Sequence, residues 1–400
     1  MIGLTPYYFR FMRGAVLVLF LLASFFSSAV TDFESIDIGI LDPINPGVVQ
    51  IIPEIGSYAV IADGHNKATI RAGERVSFSL SNGQVKVSFP GRTLGLFKDV
   101  RLMSLSEESF FRIYVLAPTK DERVYDDHLI VKPLKNELRL INRVNIEKYV
   151  AGVVEAETGK EKELEFYKVQ AIISRTYALS NRRKFLAKGF NLNDLVDSQV
   201  YHGKCRWEPA ILEAVRQTEG KVLVDSEMNL VTAAFHSNSG GETVSSGSVW
   251  SKALPYLSPR SDEFSLNGAH YNWAKSISKE KWLNYLSDKH QLSVQEESIA
   301  SKATNYEQVK RDVFFIDAKF DIPLKEIRKD WKLQSTFFNI AEKADSIYIE
   351  GRGFGHGIGL SQEGAMRMAE LGFGYVDMLH FYYNDVHVID LRALEFFKKE

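Results

Sequence analysis

A run near the C-terminus, residues 351–362, alternates five glycines with other residue types. Glycine loses more conformational freedom on folding than any other residue. A cluster of this density therefore predicts a backbone that needs positive φ angles or close approach to another group. The other residues of the run include Arg352, His356, Ser361 and Gln362, which are types that bind polar ligands. We expect a tight loop that forms part of a binding site.

The glycine run does not fit the motifs that bind nucleotides. After Gly351 and Gly353, the sixth position of a Gly-x-Gly-x-x-Gly motif is His356, and the next register fails at Leu360. The chain also contains no Gly-Lys-Ser or Gly-Lys-Thr. His356 has no His-Glu-x-x-His or His-x-His companion that would complete a metal site. The sequence therefore predicts no cofactor.

The N-terminus has the pattern of a secretory signal peptide. Arg10 and Arg13 precede an apolar run over 15–26, and small residues follow up to Ala29. The apolar run is short for a membrane-spanning helix, which needs about 20 residues. We expect a signal peptide over 1–29 and an exported protein in the periplasm, in the cell wall or on the outer face of the cytoplasmic membrane. Contact with the membrane would then require that this segment is retained.

Charge and cysteine content exclude some classes of protein and site. The net charge of −2 gives no electrostatic footprint for nucleic acid. Cys205 is the one cysteine, so the chain cannot form an internal disulfide and its core must be stable by packing. His202 and Cys205 have the spacing of half a metal site, but there is no second cysteine. We predict no metal.

The pattern of strands and helices predicts an α+β fold, with mixed helices and antiparallel strands and a β-rich N-terminal part. Residues 30–135 are the β-rich region. Runs at 76–80 and 85–89 alternate around Asn82-Gly83, which is the strongest short hairpin signal. Further strands are predicted at 111–116 and 138–144.

A helical period begins after Asn145, a plausible N-cap. Apolar residues from Ile146 to Val154 fall on one helix face, Glu157 continues that face, and Glu155 points away. Further along the chain, the pattern predicts a helix over 164–184 and then a hairpin over 221–236, with His236 near the end of its second strand. A mixed helical segment is expected over 260–345, with helices near 279–289 and 324–329. A strand at 346–349 and a helix that Ser361 caps, ending near 371–372, complete the prediction.

Glu157 is the first candidate for chemistry. A carboxylate on a core-facing helix stripe is costly unless it is paired or protonated. Burial raises the pKa of a carboxyl group, which suits a general acid near neutral pH. The alternative is a structural salt bridge with Arg175 or Lys168. Periodicity alone leaves both interpretations open.

Polar residues interrupt two other segments. Lys168, Gln170, Arg175 and Tyr177 lie in an otherwise apolar helix, where they either pair locally or line a groove against the Glu157 helix. His236 precedes a turn containing Ser239, Gly240 and Gly241, which could present a hydroxyl and backbone N–H groups. A serine hydrolase is not expected, because Gly-x-Ser-x-Gly is absent from the sequence.

Taken together, these segments resemble the stage II sporulation protein D family, also called SpoIID/LytB. The resemblance is carried, in order along the chain, by residues 144–157, 168–179, 218–223, 235–243, 333–338 and 351–365. It implies a domain over 140–390 and an exported bacterial cell-wall protein. By this resemblance, residues 333–338 would form the strand before the last motif.

The resemblance also implies an activity. Family members of the sporulation type are lytic transglycosylases that act on glycan strands stripped of stem peptides. Members of the LytB type are described as enhancers of an N-acetylmuramoyl-L-alanine amidase. The family's catalytic Glu falls on Glu157, and its basic positions fall on Lys168 and Arg175. Expected partners are peptidoglycan glycan strands, with a cell-wall amidase as a candidate.

The resemblance suggests a set of residues that would bind sugar hydroxyls, N-acetyl groups or carboxylates. These candidates are Lys168, Gln170, Arg175, Tyr177, His236, Ser239, Gly240, Gly241, Arg352, Gly353, His356, Ser361 and Gln362. Two features depart from the family pattern. Thr158-Gly159 stands where Met-Pro usually follows the catalytic Glu, and the Cys/His zinc site of some relatives is represented here by His202 and Cys205 alone.

Overall fold

A computed structural model describes residues 34–250 and 252–393, so the predicted signal peptide lies outside the described residues. Helices and mainly antiparallel strands alternate along the chain, and the first part is rich in strands. The predicted α+β class is therefore confirmed. No helix in the described ranges is long and apolar enough to cross a membrane.

The chain divides into two compact units. Of the described residues, the first unit contains 34–152 and Asn181–Lys204, and the second contains Val153–Ser180 and 205–393.

The first unit is built from two sheets. Their strands are β1 (Ser35–Ile40), β2 (Val48–Ile55), β3 (Ser57–Ala62), β4 (His65–Arg71), β5 (Val76–Ser81), β6 (Gln84–Phe89), β7 (Arg92–Phe97), β8 (Val100–Ser104), β9 (Phe110–Ala117), β10 (Asp121–Asp126), β11 (His128–Pro133), β12 (Leu138–Asn145) and β13 (Leu192–Asn193). One sheet has the order β13-β1-β12-β11-β8-β3-β4, and the other has the order β10-β9-β2-β5-β6-β7. Strand β13 joins β1 in parallel, whereas the other pairs are antiparallel.

The predicted hairpin is the β5–β6 pair. Asn82 and Gly83 have φ angles of 51° and 70°. Positive φ at both central residues defines the type I′ turn, whose twist matches that of the two strands. The strands predicted at 111–116 and 138–144 are found as β9 and β12.

A row of buried aromatic rings fills the first unit. The ring centroids of Tyr58 and Phe111 lie 5.8 Å apart, and those of Tyr125 and Tyr201 lie 5.9 Å apart. Tyr201 also packs on Tyr149 at 5.0 Å, with its hydroxyl donating to an Asn142 carboxamide oxygen. Buried aromatic pairs of this geometry stabilise a core beyond the area that they bury. Residues 181–204 thereby belong to the packing of the β-rich unit.

The remaining elements are the helices α1 (Ile146–Thr158), α2 (Leu164–Ser180), α3 (Pro209–Gln217), α4 (Ser246–Val249), α5 (Lys279–His290), α6 (Glu297–Thr304), α7 (Leu324–Asp330), α8 (Gln362–Glu370) and α9 (Tyr375–Tyr382), and the strands β14 (Lys221–Val224), β15 (Phe235–His236), β16 (Asn272–Ser278), β17 (Phe338–Lys343), β18 (Ser346–Arg352), β19 (Leu360–Ser361) and β20 (His387–Asp390). The helices predicted near 279–289 and 324–329 are confirmed as α5 and α7, and the strand predicted at 346–349 is confirmed as β18.

Helix α1 begins as predicted. The side-chain oxygen of Asn145 accepts the N–H groups of Glu147 at 2.8 Å and Lys148 at 3.4 Å, which satisfies two of the donors left open at a helix start. The apolar face from Ile146 to Val154 is buried. Glu157 continues that face in the last turn, where its side chain is half-buried.

Helix α2 is shorter than predicted. It ends at Ser180 rather than near 184, and Lys184 N–H donates to the Asn181 carbonyl in a turn. Ser and Asn compete with helix hydrogen bonding, which accounts for the early end.

The hairpin predicted over 221–236 is wrong. Strand β14 pairs with the distant β20, and β15 pairs in parallel with β19. The Asp225 carboxylate accepts the N–H groups of Glu227 and Asn229 and so forms a turn directly after β14. After this turn, local pairing is limited to one isolated bridge between Val224 and Leu230. Strand β14 pairs instead with β20, which is far away in sequence.

Segment 260–345 contributes its own small core. Strands β16, β18 and β17 form an antiparallel sheet in that order, and α5–α7 supply apolar residues that pack around Trp282. The strand expected at 333–338 is wrong in position, because β17 starts only at Phe338. The Ser335 hydroxyl accepts the Phe337 N–H and donates to the Arg352 carbonyl. These hydrogen bonds pair the Phe337 N–H and the Arg352 carbonyl with a side chain rather than with a neighbouring strand.

Replacing Asn145 with Ala should lower the free energy of unfolding by about 1 kcal/mol, because the α1 cap is lost. Asn66→Ala, on an exposed position of β4, is the matched control and should change it by less than about 0.5 kcal/mol. Urea denaturation monitored by circular dichroism measures both. Equal effects of the two substitutions would contradict the capping role.

Candidate functional site

Two motif segments that are far apart in sequence meet in the second unit. Strand β15 pairs with β19, so that His236 lies beside Ser361. Beyond that pair, Asn238 and Phe354 exchange backbone hydrogen bonds of 3.1 and 2.8 Å. The turn after His236 and the glycine loop therefore form one structure, which we call the paired loops (residues 235–241 and 351–362).

Close packing explains the glycines of this loop. Gly355 has φ 113°, and a Cβ atom there would lie 2.7 Å from the Cβ of His236. Gly357 has φ 81°, and a Cβ there would lie 2.5 Å from Nη1 of Arg311. Side chains at these positions would need a strained backbone and would displace their neighbours. The prediction of positive φ and close approach is confirmed, with the chain itself as the group approached.

A buried carboxylate joins the hydroxyl groups behind the paired loops. Asp262 is fully buried and accepts hydrogen bonds from Ser239 at 2.7 Å, from Tyr382 at 3.1 Å and from Ser265. The Ser265 and Ser361 hydroxyl oxygens lie 2.7 Å apart. Buried polar groups need such partners, because an unmade hydrogen bond costs about 1–3 kcal/mol.

This network defines the positions of Ser239 and Ser361. Both side chains are fully buried, and the Ser361 oxygen also accepts the N–H groups of Ser239 and Gly364. The predicted N-cap at the start of α8 is thereby confirmed. Their hydroxyls support the paired loops, and the predicted contact of these two residues with substrate stays a prediction.

Asn238 shapes the turn that contains Gly240 and Gly241. Its side-chain oxygen accepts the Gly240 N–H at 2.7 Å, and its nitrogen donates to Glu363 at 2.6 Å. Gly240 and Gly241 have φ angles of 70° and 94°, so the turn requires the freedom of glycine. Gly353, with φ 79°, packs against the carbonyl of Asn238.

Two histidines lie side by side within the paired loops, with ring centroids 5.5 Å apart. Burial, with the nearby His356 and Arg311, lowers the pKa of His236 well below its usual value. Burial, with the charges of Arg328 and Arg311, lowers the pKa of His356 to about 4. Both rings are therefore neutral at pH 7. Nδ1 of His356 accepts the Ile358 N–H at 3.0 Å, so its proton sits on Nε2.

Arg352 and Gln362 lie at the ends of the glycine loop. The Arg352 guanidinium stacks on the Phe337 ring at 4.0 Å and is half-buried. The Gln362 side chain is 9% exposed, and its Nε2 has no hydrogen-bond partner in the described part of the chain. Arg352 is thus a partly exposed cation and Gln362 supplies an unmatched donor, which are properties expected of polar-ligand residues.

The other candidates lie on helices α1 and α2. Arg175 is 1% exposed and donates to the Lys221 carbonyl at 2.9 Å, while Tyr177 is half-buried. Lys168 forms an ion pair with Glu165 at 2.5 Å. Gln170 is fully buried, and neither side-chain polar atom has a hydrogen-bond partner within the described residues.

Helix packing connects these residues to the paired loops. Helix α2 packs against α8, which the glycine loop enters, and against α9. At the α2–α9 contact, the Glu165 carboxylate accepts the Tyr375 N–H at 2.9 Å, and Lys168 lies over the Tyr375 ring. The structure therefore places the candidates of α2 in one assembly with α8 and the paired loops. The approach of Glu157 on α1 to this assembly stays a prediction.

The Glu155 carboxylate is held by residues 205–207. It accepts the backbone N–H groups of Arg206 at 3.1 Å and Trp207 at 2.7 Å, and the Cys205 thiol lies 3.4 Å away. Glu155 and Glu157 are both half-buried, so the predicted difference between their helix faces stays a prediction. Within residues 34–250 and 252–393, no group of three or more His, Cys, Asp or Glu side chains is arranged to hold a metal ion.

Sequence reasoning missed Asp262, Ser265, Arg311 and Tyr382. The first three lie in or at the edge of segment 260–345, where no motif marks them. Asn238 sits inside a recognised motif and was open to detection as a turn-forming residue.

Comparison with known proteins supports the resemblance. Residues 134–224 match the model of the family described as Stage II sporulation protein. The stage II sporulation protein D of Bacillus subtilis strain 168 is 29% identical over 268 residues, which cover 63% of this chain and 77% of that protein. The resemblance to the SpoIID/LytB family is confirmed.

Two further relatives are similar to comparable extents. An uncharacterised protein of Brachyspira hyodysenteriae is 28% identical over 274 residues, covering 66% of this chain and 72% of that protein. The amidase enhancer of Bacillus subtilis strain 168 is 28% identical over 285 residues, covering 58% of this chain but 39% of the enhancer.

The lowered pKa of His356 predicts a pH dependence of stability. An unfolded His titrates near 6.5, so between pH 6.5 and about 4 the unfolded state binds more protons and the folded state loses stability as the pH falls. His356→Asn should reduce this slope by up to about 1.4 kcal/mol per pH unit. The exposed His387→Asn is the control and should leave the slope intact. Urea unfolding at pH 7.0, 5.5 and 4.5 measures it, and an unchanged slope in His356→Asn would contradict the assignment.

Proposed function

We propose that the protein acts on the bacterial cell wall as a peptidoglycan lytic transglycosylase, with Glu157 as the catalytic acid and base. The substrate would be glycan strands without stem peptides, and the bond cleaved would be that between N-acetylmuramic acid and N-acetylglucosamine. The confirmed family resemblance and the relatives named for sporulation and for enhancement of an amidase support a role at the cell envelope.

One observation carries the catalytic assignment. Helix α1 bears two carboxylates in its last turns, and Glu155 is held by the backbone amides of residues 206 and 207. Glu157 continues the core-facing stripe and is half-buried. Glu157 also falls on the position of the catalytic Glu in the family that this chain resembles, so we assign the proton donor to Glu157 rather than to Glu155.

The chemistry needs a single carboxyl group. Glu157 first gives its proton to the glycosidic oxygen, and N-acetylglucosamine leaves. The resulting carboxylate then takes the proton of the C6 hydroxyl, whose oxygen closes on C1 to form the 1,6-anhydro ring. No water is activated, so the second carboxylate of ordinary glycosidases is unnecessary.

The binding residues have matching chemistry. Arg352 and Lys168 are cations on partly exposed positions, which suit carboxylates and N-acetyl oxygens. Arg175 is buried and joins α2 to the backbone of β14. We propose that it orients α2 beside α1.

The test compares Glu157→Gln with the matched variant Glu155→Gln on peptide-free glycan strands, with the products analysed by mass spectrometry. Glu157→Gln should lower the rate of anhydro-end formation by about 100-fold or more, because a positioned acid contributes about 10²–10⁴-fold. Glu155→Gln should reduce thermal stability and retain cleavage by the folded fraction. Loss of cleavage in Glu155→Gln with full activity in Glu157→Gln would contradict the assignment.

A second candidate function is enhancement of an N-acetylmuramoyl-L-alanine amidase without catalysis. The similarity to the Bacillus subtilis amidase enhancer favours it, although the matched region is 39% of that protein. An enhancer should stimulate a cell-wall amidase equally well as wild type and as Glu157→Gln, and should leave peptide-free strands intact. Production of anhydro ends by the wild type alone would exclude this alternative as the sole function.

A further inference from the structure

Arg311 reaches the paired loops from segment 260–345. One guanidinium nitrogen, Nη2, donates to the Ser239 carbonyl. The group lies against Gly357, where any side chain would collide with Nη1, and its carbon stands 5.2 Å from the centre of the Phe337 ring. The arginine is therefore fixed in place by the glycine loop, a ring and one hydrogen bond.

The Arg311 guanidinium forms no hydrogen-bonded salt bridge within the described chain, although the charge of the nearby Glu242 carboxylate stabilises it. Its Nε and Nη1 atoms are shielded from solvent and have no hydrogen-bond partner among the described residues. Glu242 lies nearby, but its carboxylate accepts the backbone N–H of Arg311 at 3.4 Å rather than a guanidinium N–H. The Asp312 carboxylate accepts the Tyr306 hydroxyl instead. Burial of a charge with two unmade donors is costly, so its retention needs a reason.

Nearby charges act on Arg311 in both directions. Burial lowers the pKa of Arg311 to about 10; the Glu242 charge opposes this decrease and the charges of Arg328 and Arg352 add to it, so the group is still protonated at pH 7. His236 and His356 are close enough for Arg311 to lower their pKa values as well. The positive charges near the loop thus outnumber the Glu242 carboxylate, and an anion placed beside Arg311 would stabilise its charge further.

A small cavity adjoins this arginine. It has a volume of about 30 Å³, and its polar lining consists of the cations Arg311 and Lys325, the carboxylate of Asp312, and the hydroxyl-bearing Ser248 and Thr336. A water-sized group needs about 10–15 Å³, so the cavity has room for about two such groups, as in the two oxygens of a carboxylate. A sugar ring does not fit, and therefore a ligand would insert only its anionic end.

We propose that Arg311 is the carboxylate-binding residue of the paired loops, and that the carboxylate it takes is the lactyl group of N-acetylmuramic acid. The guanidinium offers the planar donor pair that matches a carboxylate. The identity of the sugar rests on the proposed function, whereas the anion site rests on the geometry. Because a stem peptide converts this carboxylate into a neutral amide, Arg311 would make the protein select strands whose peptides have been removed.

The direct test observes the arginine itself. In protein labelled with ¹⁵N-arginine, the Nε–Hε signal of Arg311 is assigned by its loss in Arg311→Lys. Sodium acetate, N-acetylmuramic acid and N-acetylglucosamine are then titrated at constant ionic strength. Acetate and N-acetylmuramic acid should shift this signal in a saturable manner, and N-acetylglucosamine, which has the same ring without the lactyl group, should not. The exposed Arg367, paired with Glu370, is the internal reference and should stay in place.

A binding measurement provides the second arm. Arg311→Gln should weaken retention of peptide-free glycan strands by about 10-fold or more and should leave retention of peptide-bearing strands unchanged, because the lactyl carboxylate is an amide there. Arg367→Gln is the matched control and should leave both unchanged. Arg311→Lys keeps the charge, so partial retention by this variant would distinguish a lost ion pair from a disturbed fold.

The outcomes separate the two proposals. An Arg311 signal that acetate leaves unmoved would overturn the anion site and make Arg311 a structural residue stacked on Phe337. A response to acetate without one to N-acetylmuramic acid would overturn the assignment to the lactyl group. Failure of glycan cleavage with an intact titration would count against the lytic activity alone, because the signal does not depend on turnover.

Discussion

The parallel pairing of Phe235 and His236 with Leu360 and Ser361 holds together the two loops on which the candidate site depends. Only two residues from each segment take part, so the pairing needs support from behind. The buried Asp262 carboxylate gives that support, because it accepts hydroxyl groups from both the turn and the elements that follow the loop. Loss of this carboxylate would leave several buried donors unmatched at once.

Two histidines and an arginine are buried in and beside the same loops, where their positive charges would repel one another. The histidines stay neutral at pH 7 because burial and nearby guanidiniums oppose a further positive charge. Arg311 remains charged in this environment, and two of its donors have no partner among residues 34–250 and 252–393. A protein that favoured stability alone would replace such a group with an apolar residue, as buried ion clusters often can be at little cost. The anion site proposed above would account for the retention of this arginine.

Local signals predicted a large part of the fold. The Asn82-Gly83 turn, the Asn145 cap and the Ser361 cap each depend on a short-range hydrogen bond or on a backbone preference of the residue itself, and all three are present. The hairpin over 221–236 failed because the partner of β14 is β20, and no local pattern distinguishes a near strand from a distant one. Asp262 and Arg311 escaped prediction for the same reason, since their roles arise only when distant segments meet.

The central claim is that one carboxyl group cleaves the glycan without activating water, and cleavage in H₂¹⁸O tests it most directly. Peptide-free strands would be incubated with the protein in labelled water, and the new ends analysed by mass spectrometry. The account predicts ends one water lighter than a reducing sugar and free of ¹⁸O, because the C6 oxygen closes on C1. Ends that carry one ¹⁸O would show hydrolysis by an activated water and would contradict the role given to Glu157.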